Sequence, residues 1–294
     1  MSQQEQQQQQ PAFYVSPAQM KQIAKTRPAQ LIEGFMPSSG VMVLAGAPGT
    51  GKSFTALSWA AAVAEGCQWF GHATRQAPVV YILGEGFSGF GDRIAGWEHA
   101  YKRPMSENLH FVDGLTFGID LKDPETVQKL INALAYVQPG LVIFDTFSML
   151  ARVSNENDNA EVATVMANVN TIVQATGATA LLVHHVTKST GRVRGASAFV
   201  GNADTVVVAA EDERHDAPGD FFLSTATSKD GKQRDGEAKT LYGFSIEWPG
   251  VLHHDNGLTG TAHPDPNDPG TQDKALAAAT EALDRYKDEH NTED

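Results

Sequence analysis

The sequence predicts an α/β fold: a mostly parallel sheet flanked by helices, with a C-terminal antiparallel hairpin on one edge. Two observations carry the prediction. Short, almost continuous apolar runs alternate with longer helical segments. Such runs are strands buried on both faces, because the crossover helices of a parallel sheet cover both sides. Late in the chain two further strand-like runs follow one another across a short polar stretch with two Asp-Gly turn pairs, which is the pattern of a hairpin.

The elements follow in order. A short helical lead-in precedes GVMVLAG (40–46), a buried strand. KSFTALSWAAAVAEG (52–66) is Ala-rich and helical, and Gly66 is its C-cap. PVVYILGEG (78–86) is a second buried strand. PETVQKLINALAYV (124–137) is an amphipathic helix stopped by Pro139-Gly140, and LVIFDTFS (141–148) a third strand. NAEVATVMANVNTIVQATG (159–177) is a helix, TALLVHHV (179–186) a fourth strand, ADTVVVAAE (203–211) a fifth. DFFLSTATS (220–228) and KTLYGFSIEW (239–248) make the hairpin, across SKDGKQRDG (228–236). Taken alone, that connection is a solvated β-turn, since Asp230-Gly231 and Asp235-Gly236 are ordinary turn pairs.

Residues 12–255 therefore read as the folded domain. Residues 1–11 are Gln-rich and of low complexity, the composition of a disordered segment. Residues 256–294 read as a Gly/Pro/Asp/Thr linker followed by one helix, KALAAATEALDRYKDEH, in an acidic tail. The formal net charge is -13; nine acidic and three basic residues fall in 261–294, leaving -7 on residues 1–260. That balance excludes a global basic surface for duplex DNA, so a nucleic acid would be held by a few residues in local loops. No run of eighteen apolar residues occurs, and the N-terminus lacks the basic and apolar regions of a secretory signal. One cysteine, Cys67, leaves no internal disulfide. The expected location is the cytoplasm, with no membrane association.

GAPGTGKS, Gly46 to Ser53, matches G-x-x-x-x-G-K-[ST] at every fixed position, with an apolar strand before it and a helix after it. The spacing has a physical reason. Gly46, Gly49 and Gly51 allow the backbone of Ala47, Pro48 and Thr50 to wrap closely around phosphate oxygens. Successive N–H groups and the helix N-terminus supply positive dipoles. Lys52 adds a full charge between the β- and γ-phosphates of ATP, and the Ser53 hydroxyl suits Mg²⁺, which prefers hard oxygen ligands. Asp145 closes LVIFD and is the second expected Mg²⁺ ligand. Glu85, between Gly84 and Gly86 at the end of the second strand, is the candidate base for an attacking water. His184 and His185 end the fourth strand. Consecutive strand residues face opposite sides, so one of the two can face the nucleotide. No metal-ligand spacing accompanies them, so no zinc is expected.

With Lys52, Glu85, Asp145 and His185 in this order, the chain resembles the RecA-type core ATPases, nearest to the RepA-like hexameric replicative DNA helicases of plasmids and phages. The resemblance covers about residues 28–250 and rests on LIEGFMPSSGVMVLAGAPGTGKS, LVIFDTFS, LLVHHVTK, GRVRGASAFVGNADTVV and the KQRDG stretch. It implies a RecA-like P-loop core that hydrolyses ATP with Mg²⁺. In it Glu85 would be the catalytic base, and His185, or alternatively His184, would couple the γ-phosphate to DNA loops. Lys232 and Arg234, in an element similar to that of DnaB-type helicases, would serve the neighbouring subunit's nucleotide, Arg234 as the arginine finger. The implied partners are single-stranded DNA, further copies of the chain in a hexameric ring, and replication or recombination proteins. Two loops remain for DNA: Ser148–Glu161, and the basic Val186–Phe199 with Lys188, Arg192 and Arg194. The nucleotide motifs specify a RecA-like ATPase and leave its output open: a helicase, a phage-type recombinase or strand-annealing ATPase, or a regulatory ATPase similar to KaiC.

Overall fold

The computed structural model describes residues 14–26, 28–154, 158–186, 199, 201–211, 221–225, 231–233, 240–247 and 251–254. The predicted segments 1–11 and 256–294 lie outside them, as do Lys188, Arg192, Arg194 and Arg234.

Helix α1 (Pro17–Lys25) starts in a capping box, with Gln19 N–H donating to Ser16 Oγ at 3.2 Å, and buries no residue. Strand β1 (Gly40–Gly46) leads into α2 (Lys52–Glu65), which Gly66 ends in a left-handed conformation. Then come β2 (Val79–Leu83), α3 (Phe87–Tyr101), β3 (Leu109–Asp113), α4 (Pro124–Val137) and β4 (Leu141–Asp145). They are followed by α5 (Phe147–Ala151), α6 (Asn159–Thr176), β5 (Thr179–His185) and β6 (Thr205–Glu211). The last strands are β7 (Phe221–Ser224), β8 (Lys232–Gln233), β9 (Thr240–Glu247) and β10 (Val251–His254).

One sheet joins the described strands in the order β10-β9-β7-β6-β1-β5-β4-β2-β3, with β8 paired to β6 beside this path. From β6 to β3 every pairing is parallel; β6-β7, β7-β9, β9-β10 and β6-β8 are antiparallel. The predicted α/β class and the antiparallel edge are both present. Sequence reading passed over α3, α5, β3, β8 and β10. Strand β3 is the parallel edge, and of its five residues only Leu109 is buried, so it lacks the apolar run that marks its neighbours. The expected tip between β7 and β9 also differs: Lys232 and Gln233 lie in register with Val206 and Thr205 of β6.

Each face of the sheet has its own core. Met42 and Leu44 of β1 and Leu181 and Val183 of β5 pack with α2 and with Phe90 of α3. Val41, Val43 and Ala45, with Ala180 and Leu182, pack on α4 and α6. Helix α6 buries Val162, Val165, Met166, Val169, Ile172 and Val173, the stripe its 3.6-residue period demands. Under α2, Phe35, Trp59 and Trp69 meet at centroid distances of 5.3 to 5.8 Å, and Trp69 Nε1 donates to Ser58 Oγ at 3.0 Å. Fully burying such apolar side chains contributes about 1.5–3 kcal/mol each. This packing seats α2, and so places the loop at its N-terminus.

Candidate functional site: a phosphate cradle at the strand ends

The site lies where β1 and β4 end, on the sheet face that carries α2. Gly46 closes β1 where there is no room for a side chain: a Cβ there would sit 2.6 Å from both Ala209 O and Thr50 Oγ1. The loop then folds on itself. Thr50 Oγ1 donates to Ala47 O at 2.8 Å, and Lys52 Nζ donates to the same oxygen at 2.6 Å. Gly51 is the N-cap of α2, at φ 68, and provides no side-chain cap. The first N–H groups of the helix are therefore left for a ligand, and the helix dipole favours an anion there. Lys52 is 6 % exposed. Burial lowers its pKa to about 8, against a smaller upward pull from Asp145.

Asp145 is buried on the same face. Its neighbours across the sheet are Leu83 of β2 and Val183 of β5. Tyr81 Oη donates to Asp145 Oδ2 at 2.6 Å. Burial raises the Asp145 pKa; the hydrogen bonds from Tyr81 and Ser53 and the charge of Arg93 oppose it, and the charge of Glu85 adds to it. The phenol of Tyr81 is pushed well above its ordinary value by burial, and further by Asp145.

Glu85 is exposed, beside Gly84, whose N–H donates to Asp145 O at 2.7 Å. That bond ties the end of β2 to the end of β4 and brings the two acids together. The histidines separate as strand alternation requires. His185 is in register with Gly46 and follows Leu181 and Val183 on the α2 face, while Val186 N–H donates to Gly46 O at 3.2 Å. His184 is fully buried on the other face, 4.4 Å from the ring of Phe199, edge-on to Phe147 at 5.8 Å, with Nδ1 3.3 Å from Ser148 Oγ.

Lys232 lies in β8, its Nζ 3.2 Å from Gly201 O as donor. The loop expected at Ser148–Glu161 is partly helix α5. Its other end is anchored: Ser154 N–H and Oγ donate to Glu161 Oε2 at 3.0 and 2.8 Å, and Lys122 pairs with Glu161. That expectation is corrected to this extent: the ends of the segment are held, and the part between Ser154 and Asp158 lies outside the described residues.

Two groups at the site escaped sequence reading. Tyr81 is one; a polar tip inside the apolar run VVYIL was the available signal. Arg93 is the other. Its guanidinium lies 4.9 Å from the centre of the Phe54 ring, next to Ser53, and 5.1 Å from that of Phe90. A cation two turns into the helix after an acid-ended strand would have pointed to it.

The donors fit a divalent magnesium ion. Ser53 and Asp145 present hard oxygens side by side, and the buried carboxylate gains from a compensating cation. Among the described residues no group of three His, Cys, Asp or Glu could hold a metal by itself. An ion that keeps its waters and shares phosphate oxygens needs no such cage.

Residues 5–191 match the profile of a family described as an AAA domain. No curated protein matches the chain. Among solved structures, the chain is similar to the KaiC-like protein PH0186 from the hyperthermophilic archaeon Pyrococcus horikoshii OT3, at 19% identity and a TM-score of 0.53, over 76% of this chain and 92% of that one. It is also similar to the ATPase domain of G40P, at 12% identity and a TM-score of 0.53, over 78% of this chain and 93% of that one. At such identities the likeness is one of fold, that of a RecA-like P-loop core.

Proposed function

The chain belongs to the AAA domain family, and from that premise we propose that it hydrolyses ATP to move along single-stranded DNA as a homo-oligomeric ring, a helicase or translocase of the RepA-like kind. The observation that carries the ATPase part is the meeting of the Lys52 loop, Asp145 and Glu85 at the ends of the parallel strands β1, β4 and β2, on the edge where α/β sheets bind ligands.

In this reading the loop N–H groups and Lys52 hold the β- and γ-phosphates. Ser53 and Asp145 hold Mg²⁺, which when bound neutralises charge on the phosphate oxygens. A water oxygen attacks the γ-phosphorus as its bond to the bridging oxygen breaks. Glu85 takes the proton, and ADP and phosphate leave. Arg93 holds positive charge beside Asp145 within the same chain. Arg234, helped by Lys232, reaches the γ-phosphate of the next subunit. His185 responds to that phosphate, and Lys188, Arg192 and Arg194 hold the DNA backbone.

The DNA part rests on the basic Gly/Ser-rich composition of 186–199. The charge of -7 on residues 1–260 favours a second reading, a regulatory ATPase whose output is a protein contact. One experiment separates them: ATP hydrolysis with and without single-stranded DNA, together with fork unwinding, with Lys52→Ala as the inactive control. DNA-stimulated hydrolysis with unwinding is expected. Strand exchange without unwinding would favour a recombinase, and hydrolysis indifferent to DNA would remove both DNA readings.

A further inference from the structure

We propose that the Tyr81 hydroxyl is a positioning group for the site's divalent ion, acting through the carboxylate of Asp145. The inference rests on the reading of this site as a nucleotide–metal site and names a residue that the sequence motifs leave out.

Tyr81 is the one residue of β2 with a polar side chain; Val79, Val80, Ile82 and Leu83 around it are aliphatic. Packing alone gives no reason for a hydroxyl there, and a buried hydroxyl without an acceptor would be costly. Its acceptor is Asp145 Oδ2, at 2.6 Å, short as expected for a bond to a carboxylate. The donor is rigid. The Tyr81 ring is fully buried, with its centre 5.0 Å from that of Phe90 and 5.8 Å from that of Phe111. Sheet register sets its direction, since Tyr81 pairs with Ile143, two residues before Asp145 and so on the same face.

An aspartate carboxylate can rotate about its last torsion. With Oδ2 captured by a fixed phenol, the rotation is set and the carboxylate is turned toward Ser53, which also hydrogen-bonds to it. Tyr81 thereby holds the two oxygen donors in one arrangement before any ion arrives. Loss of such an outer donor typically lowers metal affinity by about 10- to 100-fold.

The test is Tyr81→Phe, which removes one oxygen and keeps the ring packing. Mn²⁺ is titrated into the protein with saturating ADP, and free ion is read by electron paramagnetic resonance. Fluorescent ADP without divalent ion and a thermal melt are measured beside it. The half-saturating Mn²⁺ concentration should rise about tenfold or more, with metal-free ADP affinity unchanged. In an Asp145→Asn background the same substitution should add little, because the two residues act as one unit. An unchanged Mn²⁺ titration in Tyr81→Phe overturns the inference even if the melting temperature falls. An equal loss with Asp145→Asn present does so too. Wild-type protein that binds ADP neither with nor without metal would overturn the nucleotide-site reading itself, and this inference with it.

Discussion

In the proposed site, Lys52 links nucleotide binding to stability in a measurable way. It is a cation 6 % exposed, held at a pKa of about 8 against an ordinary 10.5. At 1.36 kcal/mol per unit, net of the pull from Asp145, its charged form costs the nucleotide-free fold on the order of 3 kcal/mol. Lys52→Met keeps the length and apolar stem and removes the charge. Ala47 O, which loses one donor, keeps Thr50 Oγ1 at 2.8 Å. The variant should therefore be more stable without nucleotide at pH 7, by up to about 3 kcal/mol or roughly 10 °C in Tm for a domain of this size. The sign with pH follows from a depressed lysine. Below about pH 8 the amine is charged in both folded and unfolded chains, and the full penalty stands. Between about 8 and 10.5 the folded chain releases its proton first, and the penalty declines. The gain from Lys52→Met should thus shrink to under about 1 kcal/mol at pH 10. The assay is denaturant melting of both proteins at pH 7 and pH 10, with ADP binding measured alongside. A variant less stable than wild type at pH 7, or a gain independent of pH, would refute the reasoning.

Three further outcomes are expected. Wild-type ADP affinity should fall as pH rises above about 8, because binding requires the Lys52 proton that the free protein then releases; calorimetry across pH 7 to 9.5 reads this as proton uptake. Glu85→Gln, at an exposed position, should lower kcat by about 10²- to 10⁴-fold with ATP affinity retained, and single-turnover hydrolysis separates the two. Arg234→Ala should abolish hydrolysis and keep ATP binding, and excess Glu85→Ala subunits should restore part of the rate at mixed interfaces; no rescue at any mixing ratio counts against a finger acting on the neighbouring subunit.

What could be read from the chain was what is local along it. Gly46 to Ser53 is a strand end, a turn and a helix start in eight consecutive residues, so its shape follows from glycine freedom and helix polarity without reference to the rest of the molecule. The same holds for Asp145 and Glu85, each ending an apolar run. The five strands with continuous apolar or β-branched patterns were legible because burial on both faces leaves no polar position. Edge strand β3 and two-residue β8 were not, since partial exposure and turn formers erase that pattern.

Proximity across the sheet was beyond the pattern. Tyr81 and Asp145 are 64 residues apart, and only the order β5-β4-β2 sets them side by side. Arg93 meets Phe54 because α3 packs beside the start of α2. Alternation could say that His184 and His185 face opposite ways; it took the pairing of β5 with β1 to put His185 beside Gly46 and His184 against Phe147 and Phe199. Residue types and their local periods are written in the chain, whereas which strand lies next to which depends on packing two separate cores on one sheet, and that is a property of the whole molecule.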